Sequence, residues 1–372
     1  MVAWIVFWIS GLLIAHVYFG YPLFLYVLAK LRPRPVGKRS IEPFVSLLVP
    51  AYNEENAVAE KIRSSLELDY PADKLEIVVA SDGSSDRTAE RARAFENDPR
   101  VRVIDYPVNR GKVAVLNETI PTLKGEIVAL TDATTVIEPG ALRELVANFA
   151  DPEVGAVSSR YGVRDSAASG LGRRESFYWR YETLLKELEG RVGSTIGAHG
   201  ALYALRKELY PYPETTILND DHVIPIRIIA QGRRMAYEPK APAFEAAHEM
   251  TGFARRVRNT TGNLFQMREL GRLLRPLRPL AAFCFLSRKG GRLIVPLALP
   301  ALLAASLFLL DSPFVRVVLG LQGVFYGLAL MGTVIKSSRL FSVPYFFCMV
   351  NASAYPAYYY ATLGRGKLVW RE

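Results

Sequence analysis

The chain has 372 residues, half of them hydrophobic, and a formal net charge of +10 at pH 7. This length allows one or two domains with a sizeable core. So basic and so apolar a chain is unusual for a soluble enzyme, but typical of a membrane protein whose Lys and Arg residues flank the cytoplasmic face. The two cysteines, Cys284 and Cys348, lie in apolar stretches without metal-ligand spacing. This argues against a disulfide framework and against a zinc site.

Residues 1–29 predict a transmembrane helix. The stretch has no charged side chain, and about 20 apolar residues are enough to cross the hydrocarbon core. It is too long for the core of a signal peptide and lacks the charged start and small-residue cleavage site of one. Lys30, Arg32 and Arg34 follow directly. Because positive charge marks the cytoplasmic side, we expect an outside N-terminus and a cytoplasmic domain after the helix.

Between residues 43 and 250, short apolar runs alternate with helical patterns. The apolar runs are 45–49, 75–79, 101–104 and 127–130, and the helical stretches are 56–68, 86–96, 111–123 and 141–149. This alternation predicts an α/β domain with a parallel sheet and crossover helices. Polar residues cluster just after each run, at the edge where open α/β sheets bind ligands. The placement predicts a nucleotide-like ligand.

The first strand-end motif is Pro-Ala-Tyr-Asn-Glu-Glu at residues 50–55. Its aromatic ring and carboxylates can stack on a base and accept hydrogen bonds from it. The alternative is a helix start rich in Asn and Glu.

The second motif is Ser-Asp-Gly-Ser-Ser-Asp-Arg-Thr at residues 81–88. Gly83 permits a tight turn, and Ser85 or Asp86 can cap the next helix. Asp82 has no capping role to fill, and its carboxylate can accept the N–H of a uracil ring.

The last two motifs bring opposite charges to the same edge. Lys112 opens a helix after Asn-Arg-Gly and can neutralise a diphosphate, although a plain surface lysine is the alternative. Asp132 follows a buried run within VALTDATTVIEPGAL, residues 128–142. Metal sites at such strand ends usually hold two carboxylates as Asp-x-Asp, but the second position here is Thr134, a poorer ligand for a hard cation. The motif therefore predicts a metal site with one carboxylate, or a simple strand end.

In order and spacing, the four motifs resemble the pattern of glycosyltransferase family 2 on the GT-A fold, over roughly residues 44–270. The flanking spans resemble its membrane-bound branch, which includes synthases of cellulose, chitin, hyaluronan and poly-N-acetylglucosamine, and ceramide glucosyltransferase. The resemblance implies an integral membrane, inverting glycosyltransferase. It also implies a nucleotide-sugar donor, expected to be a UDP-sugar, with Mg²⁺ or Mn²⁺ bridging the diphosphate.

The same resemblance implies a set of donor-binding residues: Ala51, Tyr52, Glu54, Asp82, Lys112, Asp132, Arg255 and Arg258. The family's Gln/Arg-x-x-Arg-Trp motif is represented by Arg-x-x-Arg-Asn at residues 255–259, so Asn259 replaces the Trp. Arg258 keeps the cationic role toward the leaving diphosphate.

The resemblance also implies an acceptor side. The family's acidic motif is matched by Asn219-Asp220-Asp221, which makes Asp221 the general base for the acceptor hydroxyl. Asn219 or Asp220 is then the helix cap. The acceptor-binding residues are Gly197, His199, Gly200 and Asp220. His199 can join Asp132 as a metal ligand, or be a hydrogen-bonded structural histidine.

An aromatic cluster lies ahead of this motif. Tyr178, Trp179 and Tyr181 can stack on sugar rings, although core packing is the alternative that the pattern favours.

The C-terminal part predicts membrane attachment. Residues 251–291 are basic and amphipathic, as expected for interfacial helices, with a solvated basic helix as the alternative. Within 292–363, the stretches 293–310 and 314–335 predict a hairpin of two spans. The stretch 340–363 predicts a third span or a re-entrant segment.

Two acceptor classes stay open, a growing polysaccharide and a membrane lipid, and an oligomer is possible. The alternative function is a catalytically inactive nucleotide-sugar-binding scaffold, since the second Asp and the Trp are missing. A transporter is disfavoured because the spans lack intramembrane charges. Nucleic-acid binding is disfavoured because the basic residues follow the membrane flanks. We expect a bacterial inner or plasma membrane, with the catalytic domain in the cytoplasm.

Overall fold

The computed structural model describes residues 1–164, 171–246, 253–274, 278–335 and 338–363. The strands are β1 (Val45–Ala51), β2 (Leu75–Asp82), β3 (Val101–Tyr106), β4 (Ile127–Leu130), β5 (Thr135–Ile137), β6 (Val154–Arg164), β7 (Tyr203–Arg206) and β8 (Arg234–Ala246). The helices are α1 (Val2–Ala15), α2 (Tyr21–Leu31), α3 (Val58–Leu66), α4 (Thr88–Arg93), α5 (Lys112–Thr119), α6 (Ala141–Val146), α7 (Leu171–Val192), α8 (Asp220–Ala230), α9 (Phe253–Gln266), α10 (Leu270–Leu274), α11 (Pro279–Phe285), α12 (Gly291–Leu307), α13 (Pro313–Met331), α14 (Arg339–Ala352) and α15 (Ala354–Thr362). Two π-helical turns, His16–Gly20 and Leu286–Gly290, join α1 to α2 and α11 to α12.

The strands form one mixed sheet in the order β3-β2-β1-β4-β7-β6-β8-β5. The first four strands in this order run parallel. β7 is antiparallel to both β4 and β6, β6 is parallel to β8, and β5 is antiparallel to β8. The predicted α/β class with a mostly parallel sheet is confirmed. Because β1, β2 and β4 are parallel, their carboxyl ends meet at one edge.

The core lies on both faces of this sheet, as the two-residue period of a strand dictates. Leu47 and Val49 of β1 belong to a buried cluster on one face, whereas Leu48 belongs to the cluster on the other. The second cluster also takes in side chains from outside the sheet, among them Tyr21 of α2 and Phe285 of α11. Both faces of the sheet are therefore covered, which explains the continuous apolar runs in its strands.

The N-terminal helix has two environments along its length. From Val2 to Leu31 it is long and apolar enough to cross a membrane. However, Tyr21 and Leu25 in its second half are completely buried against the α/β domain. The second half of the helix therefore packs into the core of the α/β domain. The sequence did not indicate this, because the helix is apolar along its whole length.

The structure differs from the predicted boundary between interfacial helices and spans at residues 291 and 292. One helix runs from Pro279 to Leu307 and is long and apolar enough to span. The basic residues Arg288 and Lys289 lie inside it and are turned toward the α/β domain. In the sequence these basic residues belong to the predicted interfacial stretch 251–291. In the structure their side chains contact side chains of the α/β domain. Pro313–Met331 is the next candidate span.

The third apolar stretch, 340–363, forms two short helices, α14 and α15, that meet at Ser353. Among the described residues, the helices long and apolar enough to span do not include this stretch. The Tyr355 hydroxyl donates to the carbonyl oxygen of Pro296 at 2.6 Å. Because Pro300 has no N–H, that carbonyl lacks its ordinary helical donor. Tyr355 of α15 therefore supplies the hydrogen-bond donor that Pro300 cannot give to this carbonyl of α12.

Candidate active site

The first two motifs interlock at the ends of β1 and β2. The backbone N–H of Ser85 donates to the Asn53 side-chain oxygen at 2.8 Å. Asp86 accepts from the N–H groups of Glu55 (3.1 Å) and Thr88 (2.9 Å). Asp86 thus binds the first N–H of α4, although the cap position itself is Arg87 and not Ser85 or Asp86 as the capping alternative predicts. Tyr52 stays half-exposed at this edge, where its ring is accessible to a base.

Asp82 holds the third motif in place. Its two carboxylate oxygens accept the backbone N–H groups of Arg110 (2.9 Å) and Gly111 (2.8 Å). Gly83 has a φ of +63°, and a Cβ there would lie 2.4 Å from the Asn109 nitrogen. Asp82 and Gly83 therefore fix the loop that presents Lys112 at the start of α5. The predicted uracil contact of Asp82 stays a prediction, and each of its oxygens retains a second lone pair for it.

Lys112 joins three elements through its charge. Its Nζ lies 2.8 Å from Asp132 Oδ1, after β4, and 3.5 Å from Asp220 Oδ1, at the start of α8. Burial works against the charge of this ammonium. The carboxylates of Asp132 and Asp220 outweigh burial and raise the pKa of Lys112 above its ordinary value. The side chain is therefore a permanent cation between two acids, not a free surface lysine.

Asp221, the predicted base, lies beside this group. Burial and the neighbouring Asp220 carboxylate raise the pKa of Asp221 to about 7. The backbone carbonyl of Asp221 accepts the N–H of Ala198 at 2.6 Å, which brings the Gly-rich segment of residues 197–201 to the acidic pair. Asp220 accepts the Tyr203 hydroxyl at 3.1 Å. A carboxylate whose pKa lies near neutrality is suited to general base catalysis.

Asn219 occupies the cap position of α8, as one of the two predicted alternatives, but its side chain makes no capping hydrogen bond. Instead, it packs so closely against α9 that a Cβ on Gly262 would lie 2.5 Å from its Nδ2. α9 carries Arg258, so this contact places the Arg-x-x-Arg helix beside the acidic pair. The Arg255 side chain lies outside the described residues.

His199 packs among aromatic rings. Its ring centroid lies 5.2 Å from those of both Tyr161 and Trp179. Burial and the positive charge of Lys186 lower the pKa of His199 well below its usual value, so the ring is neutral. Of the predicted aromatic cluster, Trp179 lies here, whereas Tyr181 donates to the backbone of Tyr18 at 3.2 Å. The Tyr178 side chain lies outside the described residues.

The predicted metal site has one clear ligand. Within the described part of the chain, no group of three or more His, Cys, Asp and Glu side chains could hold a metal ion. Oδ1 of Asp132 binds Lys112, and Oδ2 faces Gly200, where an added Cβ would come within 3.0 Å. The missing side chain leaves room at that oxygen. The one-carboxylate metal site therefore stays a prediction, in which Oδ2 of Asp132 would bind a hard divalent cation and donor phosphates and water would be its other ligands.

Lys61, a further charged residue near the site, was missed in the sequence. Its Nζ donates to the Thr131 hydroxyl and the Thr135 carbonyl, both at 2.8 Å. Burial lowers the pKa of Lys61 to about 7. A signal was present, because Val58, Lys61 and Ile62 share the buried face of α3 and helical periodicity places them there.

His222 and Lys289 were also missed. The two side chains are hydrogen-bonded to each other beside Asp221. They are 67 residues apart in the chain, and neither lies in a motif, so no local pattern connects them.

Comparisons with known proteins show the family of the domain and its fold. Residues 46–210 match the family model described as Glycosyl transferase family 2. The chain contains a glycosyltransferase family 2 domain. The predicted family, enzyme class and GT-A fold are confirmed. The match ends before Asp221 and is shorter than the expected resemblance over 44–270. The roles assigned to the acceptor-side residues after residue 210 are therefore argued from the structure alone.

Among solved structures, the chain is similar to the mannosyltransferase PcManGT from Pyrobaculum calidifontis in complex with GDP-Man and Mn²⁺. The TM-score is 0.72 at 26% sequence identity, over 97% of this chain and 99% of that one. This similarity extends beyond the family match and includes the helices of the membrane region.

Curated relatives include poly-beta-1,6-N-acetyl-D-glucosamine synthases. The protein from Staphylococcus epidermidis is 30% identical over 225 residues, and that from Staphylococcus aureus strain MSSA476 is 28% identical over 227 residues. Each alignment covers 59% of this chain and 54% of the relative. The chain thus spans about half the length of the curated relatives it matches.

Proposed function

We propose that this family 2 glycosyltransferase is an integral membrane, inverting enzyme that moves a sugar from a nucleotide-sugar donor to an acceptor hydroxyl. The observation that carries the proposal is the Lys112 ammonium held between Asp132 and Asp220, with Asp221 beside them. This arrangement combines a fixed cation for a diphosphate with a carboxylate for proton removal. Both lie at the carboxyl edge of the parallel strands, where such sheets bind nucleotides.

On the acceptor side, Asp221 takes the proton of the attacking hydroxyl. Because its pKa is about 7, it holds that proton more firmly than an ordinary carboxylate does. The hydroxyl oxygen attacks the anomeric carbon in line with the leaving diphosphate, so one displacement inverts the configuration. Gly197, His199, Gly200 and Asp220 surround the approach of the acceptor.

On the donor side, Lys112 and Arg258 face the negative charge that develops on the diphosphate. Mg²⁺ or Mn²⁺ held by Asp132 would supply further charge stabilisation there. Ala51, Tyr52, Glu54 and Asp82 lie at the ends of β1 and β2, where the base and ribose of a nucleotide are expected. PcManGT, with its bound GDP-Man and Mn²⁺, supports a nucleotide-sugar donor and a divalent metal. We propose a UDP-sugar as the donor. GDP-mannose is the alternative donor.

The acceptor is a polysaccharide or a lipid at the cytoplasmic membrane face. The relatives named as poly-N-acetylglucosamine synthases support the polysaccharide. The position of Asp221 supports the lipid. Its neighbour His222 is hydrogen-bonded to Lys289, just before α12 begins, so the proposed base lies close to a candidate membrane helix. The basic flanks of the spans support a cytoplasmic domain on a bacterial inner membrane.

The decisive experiment measures release of nucleoside diphosphate by the purified full chain with UDP-N-acetylglucosamine, UDP-glucose or GDP-mannose, with and without Mn²⁺. We expect turnover with one donor and a loss of about 10²- to 10⁴-fold in Asp221→Asn. Asp73→Asn, at an exposed acid far from the sheet edge, is the matched control. If no donor turns over, with or without a lipid extract as acceptor, the enzyme proposal is wrong and the nucleotide-sugar-binding scaffold is favoured.

A further inference from the structure

His222 links the predicted base to a membrane helix. Its Nε2 is hydrogen-bonded to Nζ of Lys289, and its Nδ1 lies 3.6 Å from Oδ1 of Asp221. Lys289 belongs to the π-helical turn between α11 and α12. The three side chains therefore form a line from the helix to the carboxylate.

The chemistry of these groups sets the position of the His222 proton. Burial and the positive charge of Lys289 lower the pKa of His222 well below its usual value, and Lys186 and Arg288 add to this effect. A lysine ammonium can only donate, so when Lys289 is charged, Nε2 of the neutral ring accepts and Nδ1 carries the hydrogen. Among the described residues Nδ1 is buried without a hydrogen-bond partner. With the hydrogen on Nδ1, the Asp221 carboxylate is the acceptor within reach, at 3.6 Å.

The surroundings leave the His222 ring little freedom. A Cβ on Gly197 would lie 2.8 Å from Nδ1, so the acceptor segment closes over the ring. The distance from Nδ1 to Asp221 is longer than a hydrogen bond. Catalytic contacts of this kind often tighten when substrate binds.

The helix that carries Lys289 is itself fixed. The guanidinium of Arg288 donates to Glu182 at 2.6 Å and to Glu189 at 2.7 Å, and all three side chains are buried. Glu189 also accepts the Tyr21 hydroxyl at 2.6 Å and the N–H of Ile196 at 2.9 Å. The side chains of Arg288 and Glu189 thus connect four parts of the chain. These are the N-terminal helix, the helix Pro279–Leu307, α7 and Ile196, which directly precedes the Gly-rich segment 197–201. Breaking such a buried ion pair is costly, which prevents the helix from sliding.

We propose that Lys289 is a positioning residue for glycosyl transfer, acting from the membrane helix through His222 to orient Asp221. This inference rests on the proposed function, since it concerns the same base. It adds that the glycosyltransferase domain does not contain its complete active site. The helix Pro279–Leu307 supplies the missing part.

The test compares Lys289→Met, Lys289→Arg and His222→Phe in the full chain in detergent. Groups that orient a catalytic side chain typically cost about 10- to 100-fold when they are removed. We expect Lys289→Met to lower kcat by about that factor, with the donor KM and the affinity for UDP or GDP unchanged. Lys289→Arg should recover most of the rate, because it restores the donor. Lys30→Met, an exposed lysine at the end of the N-terminal helix, is the matched control.

The double variant Lys289→Met with His222→Phe separates positioning from general damage. If Lys289 acts through His222, the double variant is no slower than His222→Phe alone. Additive losses, or equal losses of nucleotide affinity, would overturn the inference, and so would full activity of Lys289→Met. Turnover that depends on Asp221 but not on Lys289 would contradict this inference alone. Absence of wild-type turnover would contradict the proposed function, and this inference with it.

Discussion

The donor half and the acceptor half of the site are built in different ways. On the donor side, β2, β1 and β4 are neighbouring parallel strands, and the site residues other than Arg255 and Arg258 of α9 lie at strand ends or in the loops and helix starts that follow them. On the acceptor side, Asp221, His222 and Lys289 come from α8 and a membrane helix far along the chain. The donor side is therefore local and regular, whereas the acceptor side exists only after the membrane helices have docked. Substitutions can test how far this division holds.

On the donor side, the largest expected effect is that of Lys112→Met. Removing the cation leaves Asp132 and Asp220 facing each other without the ammonium between them. Loss of one charge-stabilising group typically costs about 10²- to 10³-fold in rate. Steady-state release of nucleoside diphosphate should show this loss, while Lys74→Met, at a surface lysine, stays near wild type. Similar rates for the two variants would mean that Lys112 is structural.

Asp132→Ala tests the one-carboxylate metal site. We expect turnover to lose its dependence on Mn²⁺, with a rate decrease on the order of 10²-fold, because the only carboxylate at that strand end is gone. A titration of rate against Mn²⁺ concentration measures it. An unchanged metal dependence would show that the metal is held elsewhere.

Gly83→Ala tests the loop that presents Lys112. The new methyl group meets the backbone of Asn109 at a positive φ, which costs on the order of 1–3 kcal/mol of stability. Thermal unfolding should show a lower Tm and weaker nucleotide binding. The control is Gly140→Ala, where φ is negative and no atom lies within 4 Å of the added Cβ. Equal Tm values for the two variants would refute this account of the turn.

The pH dependence tests the acceptor half. Because Asp221 acts as a base only when ionised and its pKa is about 7, kcat should rise about tenfold between pH 6 and pH 8. Stability should change in the opposite direction. A raised carboxyl pKa means that the folded state binds more protons, so this group's contribution to stability falls as the pH rises from about 4 to 7. In Asp221→Asn both trends should disappear, as rate and Tm against pH would show.

The smallest effect is expected for Tyr355→Phe, which removes the donor to the Pro296 carbonyl. Hydrogen bonds between membrane helices are worth about 0.6 kcal/mol on average, so Tm should fall slightly. Tyr359→Phe, at an exposed ring, should leave it unchanged. A larger loss would indicate that α15 supports the site more directly.

The sequence allowed prediction of the sheet and its strand-end motifs because they follow from short-range periodicity. Lys112 and Asp132 were recognised in this way, and the structure brings them together. The pairing of Lys112 with Asp220 was not predictable, because hydrophobic periodicity does not reveal which distant elements meet. The same holds for Arg288 with Glu182 and Glu189, which are separated from it by 106 and 99 residues. The positive charge of Arg288 is typical of a membrane flank, but the structure buries it between these two carboxylates.

The embedding of Tyr21 and Phe285 in the second core cluster has a consequence for synthesis of the chain. The parallel strands β1 to β4 are complete once residue 130 has been made, and they pair with one another along the chain order of the sheet's first half. The cover of one face of the sheet is not complete until residue 285 has left the ribosome, since Phe285 packs there together with the N-terminal helix. A nascent chain therefore exposes apolar surface while residues 131–285 are added. Completion of this core therefore requires the helix Pro279–Leu307, which is also long and apolar enough to cross a membrane.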